Sequence, residues 1–159
     1  MIAGLRPATV GDAVPAAALV DRAYGHYVAR IGQKPYPMVV DYAEALATMD
    51  AWVVERAGRI VGLLVLEPLD GCMMVENIAV DPSMQGQGLG RALMELAEVE
   101  ARRRGLPEMR LYTHQMMIEN QAIYTRLGYV EYERMTVHGR PRVYMRKPLP
   151  PLPTGRRAS

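Results

Sequence analysis

Residues 73–105, MMVENIAVDPSMQGQGLGRALMELAEVEARRRG, read as a strand, a glycine-rich turn and a long helix. Gly86, Gly88 and Gly90 fall at alternate positions where strand gives way to helix. Lacking a Cβ, glycine lets the backbone bend sharply and bring its N–H groups close to a ligand. The first turn of any helix also carries unpaired N–H donors and a partial positive charge. Together these make an anion seat suited to a phosphate or pyrophosphate. Two dinucleotide motifs share the plan, and both fail here. In G-x-G-x-x-G the third glycine position holds Arg91, and the G-K-S/T ending of the phosphate loop is missing because no lysine follows the glycines.

What remains is Gln85-x-x-Gly88-x-Gly90, preceded by Ile78-Ala79-Val80-Asp81-Pro82. This resembles the acetyl-CoA pyrophosphate loop of the GNAT superfamily of N-acetyltransferases. A second stretch, residues 117–129, is similar to that family's helix ending in Y-x-x-x-G-F/Y, here Tyr124, Gly128 and Tyr129. The resemblance covers residues 5–149.

The rest of the chain supplies matching elements. A short strand over 2–6 precedes a helix running to Ala23. Residues 24–37, rich in Tyr and broken by Gly and Pro, read as an irregular segment. Asp41 followed by Glu44 signals a second helix to about Met49. Residues 52–56 and 59–66 form a hairpin on Ala57-Gly58, and 73–80 is the next strand. After the long helix come a strand over 109–113, a helix over 119–127, and strands over 129–137 and 142–147. The order predicts a mixed α/β sheet covered on both faces. The resemblance implies a single-domain, GNAT-like, mostly antiparallel twisted sheet of about seven strands. That domain is 1–149, with 150–159 a Pro-rich, basic and flexible tail.

Net charge is +2, too little to imply nucleic-acid binding. The arginines at 102–104 read as helix-end caps, and no apolar run approaches membrane-spanning length. No signal peptide is expected. The single Cys72 excludes an internal disulfide and fits a reducing cytoplasm.

Acetyl transfer to an amine needs a seated cofactor, an oriented thioester, a base and an acid. The resemblance implies acetyl-CoA as cosubstrate, its pyrophosphate on the N–H groups of Gln85, Gly86, Gln87, Gly88, Leu89, Gly90 and Arg91. It also implies that the backbone of Ile78, Ala79 and Val80 pairs with the pantetheine arm. A backbone N–H there would stabilise the oxygen that becomes negative. A lysine-like amine, with a free pKa of about 10.4, arrives protonated and needs a base. Glu76 matches a position where some GNAT enzymes carry one; His114 is the rival. Tyr124 matches the family's general acid, a phenol still protonated at neutral pH. Asn120 shares a helix face with Tyr124 and is a candidate for the pantetheine arm. Here the chain departs from the commonest pattern, which has Asn where Met117 stands. No metal is expected.

The acceptor is a small-molecule or peptide amine, with Tyr24, Tyr27 and Tyr36 around it and Asp41 and Glu44 as further cation attractors. The resemblance admits a homodimer and implies no membrane or nucleic-acid partner. Two other classes stay open: a CoA-binding sensor without turnover, and a partner- or nucleic-acid-binding domain using Arg156 and Arg157.

Overall fold

The computed structural model describes residues 2–151. Its strands are β1 (Leu5–Pro7), β2 (Asp50–Arg56), β3 (Arg59–Leu69), β4 (Cys72–Val80), β5 (Glu108–His114), β6 (Val130–Val137) and β7 (Arg140–Pro148). The helices are α1 (Ala13–Tyr24), α2 (Tyr27–Ile31), α3 (Tyr42–Thr48), α4 (Leu89–Arg103) and α5 (Ile118–Arg126). The strands form one sheet in the order β1-β2-β3-β4-β5-β7-β6. Every neighbouring pair is antiparallel except β4 and β5.

β3 explains the layering. Its residues from Ile60 to Leu66 are all buried, so both of its faces must be covered. On one face the stripe Leu89, Leu93, Ala97 and Ala101 of α4 packs on Leu64, Leu66, Met73 and Val75. On the other, α1 and α3 bring Leu19, Val20, Ala45 and Leu46 onto Val53, Leu63, Val65 and Ala79. The three arginines at the end of α4 are held in ion pairs, Arg102 with Glu98, Arg103 with Glu100 and Arg104 with Asp50.

Element ends differ from expectation for local reasons. β1 starts at Leu5, after Gly4 turns the chain with a φ of +82° and passes so close to β2 that a Cβ there would lie 2.1 Å from the Glu55 carbonyl oxygen. The irregular segment contains α2, stopped by Gly32 in the left-handed conformation. β3 runs on to Leu69, and β7 begins two residues early because the β6–β7 turn is tight. Residues 152–159, with Arg156 and Arg157, lie outside the described residues.

Two irregularities at β4 position the site. Val65 pairs with Asn77 but Leu66 with Val75, so Glu76 is the extra residue of a β-bulge. Further, β4 pairs with β5 only from Met73 to Val75, opposite Met109–Leu111. Beyond that the two strands part, while β5 continues along β7 to His114 opposite Arg142. A wedge opens between the C-terminal halves of β4 and β5.

Candidate active site

One end of the wedge is a cleft of about 720 Å³. The glycine turn forms its rim. Asp81 accepts from the Ser83 N–H at 2.9 Å and the Ser83 hydroxyl at 2.8 Å, and pairs with Arg22 at 2.9 Å. The Ser83 N–H, the Ser83 hydroxyl and Arg22 hold its carboxyl below the ordinary range. Asp81 therefore anchors the turn. Gly86 and Gly88 follow with φ of +80° and +84°, which L side chains rarely adopt. The Ala92 N–H makes the first α4 bond, 3.0 Å to the Gly88 carbonyl. The amides of Leu89, Gly90 and Arg91 thus have no intrahelical acceptor.

Gln85, Gly86, Gly88, Leu89, Gly90 and Arg91 all line this cleft. Gln87 does not: it is exposed, and its amide reaches the Ser83 carbonyl at 3.4 Å. Arg126 and His26 also line it and were not anticipated. Arg126 lies on the same short helix as Tyr124, so the helix motif could have pointed to it.

The inner wall is β4. The Asp81 N–H bonds the Val61 carbonyl at 2.9 Å, toward β3. Backbone groups alternate in direction along a strand, so those of Ala79 also face β3 and those of Ile78 and Val80 face the wedge. The Ile78 carbonyl accepts from the Tyr24 hydroxyl at 2.9 Å, and the Val80 carbonyl from the Gln85 amide at 3.5 Å. The N–H groups of Ile78 and Val80 are then what β4 offers a ligand. Ala79 also lines the cleft, with its backbone groups turned the other way. It is committed to the ladder opposite Leu63, and its methyl packs against the α1 side.

Tyr124 and Asn120, one turn apart on α5, line both this cleft and a second cavity and so mark their junction. Burial, with Tyr27 adding to it, pushes the Tyr124 hydroxyl up to about 12. It is a proton donor at neutral pH. The ring meets Tyr129 edge-on, 6.0 Å between centroids. The Asn120 amide lies 3.6 Å from the Met117 sulfur.

The second cavity is narrow, about 40 Å³, with Glu76, Tyr112, His114 and Arg142 on the sheet side and Tyr24 and Tyr36 opposite. Glu76 accepts from the Tyr112 hydroxyl at 3.1 Å. Burial first, then the neighbouring Glu67 carboxylate, push Glu76 up to about 7; the Tyr112 hydroxyl and Arg142 act against this. A carboxyl poised there can take a proton near neutrality. His114 is different. Its Nδ1 accepts from the Met116 N–H at 3.0 Å, which leaves the proton on Nε2. Burial and Arg140 lower its pKa, so it is a neutral donor with its lone pair engaged. Of the two rival bases, the geometry favours Glu76.

Tyr27 lines the cofactor cleft and not this cavity. Asp41 caps α3 by accepting from the Glu44 N–H at 3.2 Å, and neither acid reaches the cavity. Cys72 is buried, and burial raises its thiol, so it is no nucleophile. Tyr112 and Arg142 were missed. They alternate with the apolar residues of β5 and β7, and that alternation is visible in the sequence. No helix among the described residues is long and apolar enough to cross a membrane.

A sequence model of the family described as Acetyltransferase (GNAT) domain matches residues 48–131. The chain is similar to the mycothiol acetyltransferase of Jonesia denitrificans, 37% identical over 83 residues. That match covers 51% of this chain and 26% of the relative, so the chain spans about a quarter of the relative's length. Among solved structures it resembles the PaiA N-acetyltransferase of Thermoplasma acidophilum in complex with coenzyme A. The TM-score is 0.77 at 15% identity, over 91% of this chain and 98% of that one. It also resembles a GNAT family acetyltransferase of Elizabethkingia anophelis with acetyl-CoA bound. There the TM-score is 0.68 at 18% identity, over 91% and 97% of the two chains.

Proposed function

Because the chain belongs to the GNAT acetyltransferase family, matched across residues 48–131, we propose that it is an acetyl-CoA-dependent N-acetyltransferase. It moves the acetyl group to a primary amine by direct attack in a ternary complex. The observation that carries this reading is the wedge between β4 and β5. It joins an amide-lined anion seat to a cavity holding a carboxyl poised near neutrality, with the Tyr124 phenol at the junction.

The residues present fit the cosubstrate. The turn from Gly86 to Arg91 offers amides without acceptors at the positive end of α4, suited to a diphosphate, while the Gln85 N–H bonds the Pro82 carbonyl at 3.4 Å. Gly86 and Gly88 leave open space where a Cβ would stand. The N–H groups of Ile78 and Val80 continue the strand edge for an amide-bearing arm, and the Asn120 amide lies across from them. Acetyl-CoA supplies the activated acetyl group as a thioester. Glu76 draws the acceptor's ammonium and takes its proton, directly or through water. The wedge-facing Ile78 N–H stabilises the oxygen that becomes negative. Tyr124 gives its proton to the departing thiolate.

All these groups lie within residues 1–149 of one chain, so a homodimer, which the resemblance admits, would leave the site intact. The lone buried Cys72 fits a reducing cytoplasm. The test is thiol release from acetyl-CoA across a panel of primary amines. Release that depends on an amine supports the enzyme. Binding of acetyl-CoA with no release on any amine would make the protein a CoA-binding sensor.

A further inference from the structure

Arg142 and His114 face each other across β7 and β5 and share the sheet face that lines the narrow cavity. Both are more than nine-tenths buried, at 9% and 8% exposure. The Arg142 guanidinium lies 3.8 Å from the Tyr112 ring centroid and 5.0 Å from that of Tyr36. It donates one hydrogen bond, 3.2 Å to the Tyr144 hydroxyl. Among the described residues it forms no ion pair with any carboxylate. The His114 Nε2 is buried without a hydrogen-bond partner.

This is an unusual balance. A guanidinium stays charged, and burying one unpaired is costly. The two aromatic faces offset part of that cost, but they cover the faces of the planar group and not its N–H edge. Glu76 is near enough to feel Arg142's charge, yet the two do not bond directly. Arg140 adds further positive potential at the mouth while its own donors are spent on the Lys34 and His138 carbonyls. The cavity therefore brings together the buried His114 Nε2–H without an acceptor, the Arg142 guanidinium without a carboxylate, and the Glu76 carboxyl that takes a proton.

Resting on the acetyltransferase reading, we propose that the acceptor is a small amino acid: one molecule whose carboxylate is held by Arg142 and His114 while its amine meets Glu76. A carboxylate is planar and matches the forked edge of a guanidinium with two parallel hydrogen bonds. It also accepts from an imidazole N–H. The narrowness of the cavity, closed by Tyr24 and Tyr36, suits a small molecule and not a folded protein surface. A neutral amine would fill the Glu76 end and leave Arg142 unmatched.

The experiment compares α- and ω-amino acids with their carboxamides and their decarboxylated amines, following thiol release from acetyl-CoA. For the preferred amino acid, kcat/KM should exceed that of its carboxamide on the order of 10- to 100-fold, the scale of a hydrogen bond to a charged group. Arg142→Gln should collapse that ratio to within a few-fold, chiefly by raising KM for the acid. Arg142→Lys, which keeps the charge but loses the fork, should restore part of it. If Arg142→Gln does not fold, the wild-type ratio decides. Equal or better turnover of carboxamides, of decarboxylated amines or of aminophosphonates overturns the carboxylate proposal and leaves the acetyltransferase reading standing. Arg142→Gln lowering acid and carboxamide in equal proportion overturns it too. Acetyl-CoA binding with no thiol release on any amine overturns the acetyltransferase reading, and the amino-acid proposal with it.

Discussion

Replacing Glu76 with Gln should make the protein more stable while it stops working. Burial and the Glu67 carboxylate raise Glu76 from an ordinary 4.5 to about 7. The folded chain therefore keeps a proton that the unfolded chain releases from about pH 4.5 upward. Stability must fall as pH rises through that window, and above about 7 the whole cost is present. The gap of 7 − 4.5, at about 1.36 kcal/mol for each pH unit, amounts to at most roughly 3 kcal/mol. Gln carries no charge, and its amide oxygen can still accept from the Tyr112 hydroxyl. At pH 8 Glu76→Gln should thus gain up to roughly 3 kcal/mol, or about 6–12 °C in Tm for a chain of this size. At pH 4 the two proteins should be equally stable. Turnover at pH 8 should fall by about 10²-fold or more, the usual contribution of a general base. Urea unfolding of both proteins from pH 4 to 8 gives the first readout, and thiol release gives the second. Groups that do not touch Glu76 cancel in the difference between the two proteins, whereas Glu67 titrates with Glu76 as a pair, so the difference reports that pair. A stability difference that does not grow with pH, or a Gln variant no more stable at pH 8, would refute the assignment of Glu76 as a strained, functional carboxyl.

The pH profile of kcat/KM should show a rising limb near pH 7, since Glu76 must lose its proton before it can accept one; the limb should disappear in Glu76→Gln. Tyr124→Phe should lower kcat by about 10- to 100-fold with acetyl-CoA affinity unchanged by calorimetry, and full activity in that variant would remove the acid role. Gly88→Ala should weaken acetyl-CoA binding by about tenfold or more at a folding cost of about 1–2 kcal/mol, because its φ of +84° is strained for any side chain. Its new Cβ meets no protein atom within 4 Å, so lost affinity would report the ligand's place and not a clash within the protein. Unchanged affinity would mean that the diphosphate lies elsewhere.

The strand–turn–helix unit was legible because it is local. Gly86, Gly88 and the Leu89–Leu93–Ala97 stripe encode turn and helix within a few residues of each other. Residues 24–37 were opaque for the opposite reason. α2 is five residues long, too short for helical periodicity, and its tyrosine faces the cofactor cleft where the sequence offers no cue. Arg142 was within reach as a polar residue alternating with Val143 and Met145. Its lack of a carboxylate partner was not, since that depends on Tyr36 and on Tyr112 and His114 of β5 arriving from two distant segments. All three of Ile78, Ala79 and Val80 line the cleft, and which of them turns its backbone toward it follows from strand alternation only once the register against β3 is known.

The bulge at Glu76 joins the two halves of the proposed chemistry. Before it, Met73 and Val75 pack on the α4 face; after it, Ile78 and Val80 do, and Ala79 turns to the α1 side. Side-chain face and backbone direction are linked along a strand, so a β4 that took Glu76 into regular pairing would aim the Ile78 amides at β3 and leave the wedge with those of Ala79. The same insertion sets Glu76 beside Asn77, out of the ladder and against Tyr112, while Tyr42 holds the Asn77 amide at 2.7 Å and Tyr24 bonds its oxygen at 3.3 Å. Those two tyrosines fix the strand where it departs from regular pairing. One extra residue thus places the proton acceptor and the oxyanion donor on adjoining sides of one gap. The distance between them is set by covalent geometry along β4, not by how two separate elements happen to pack.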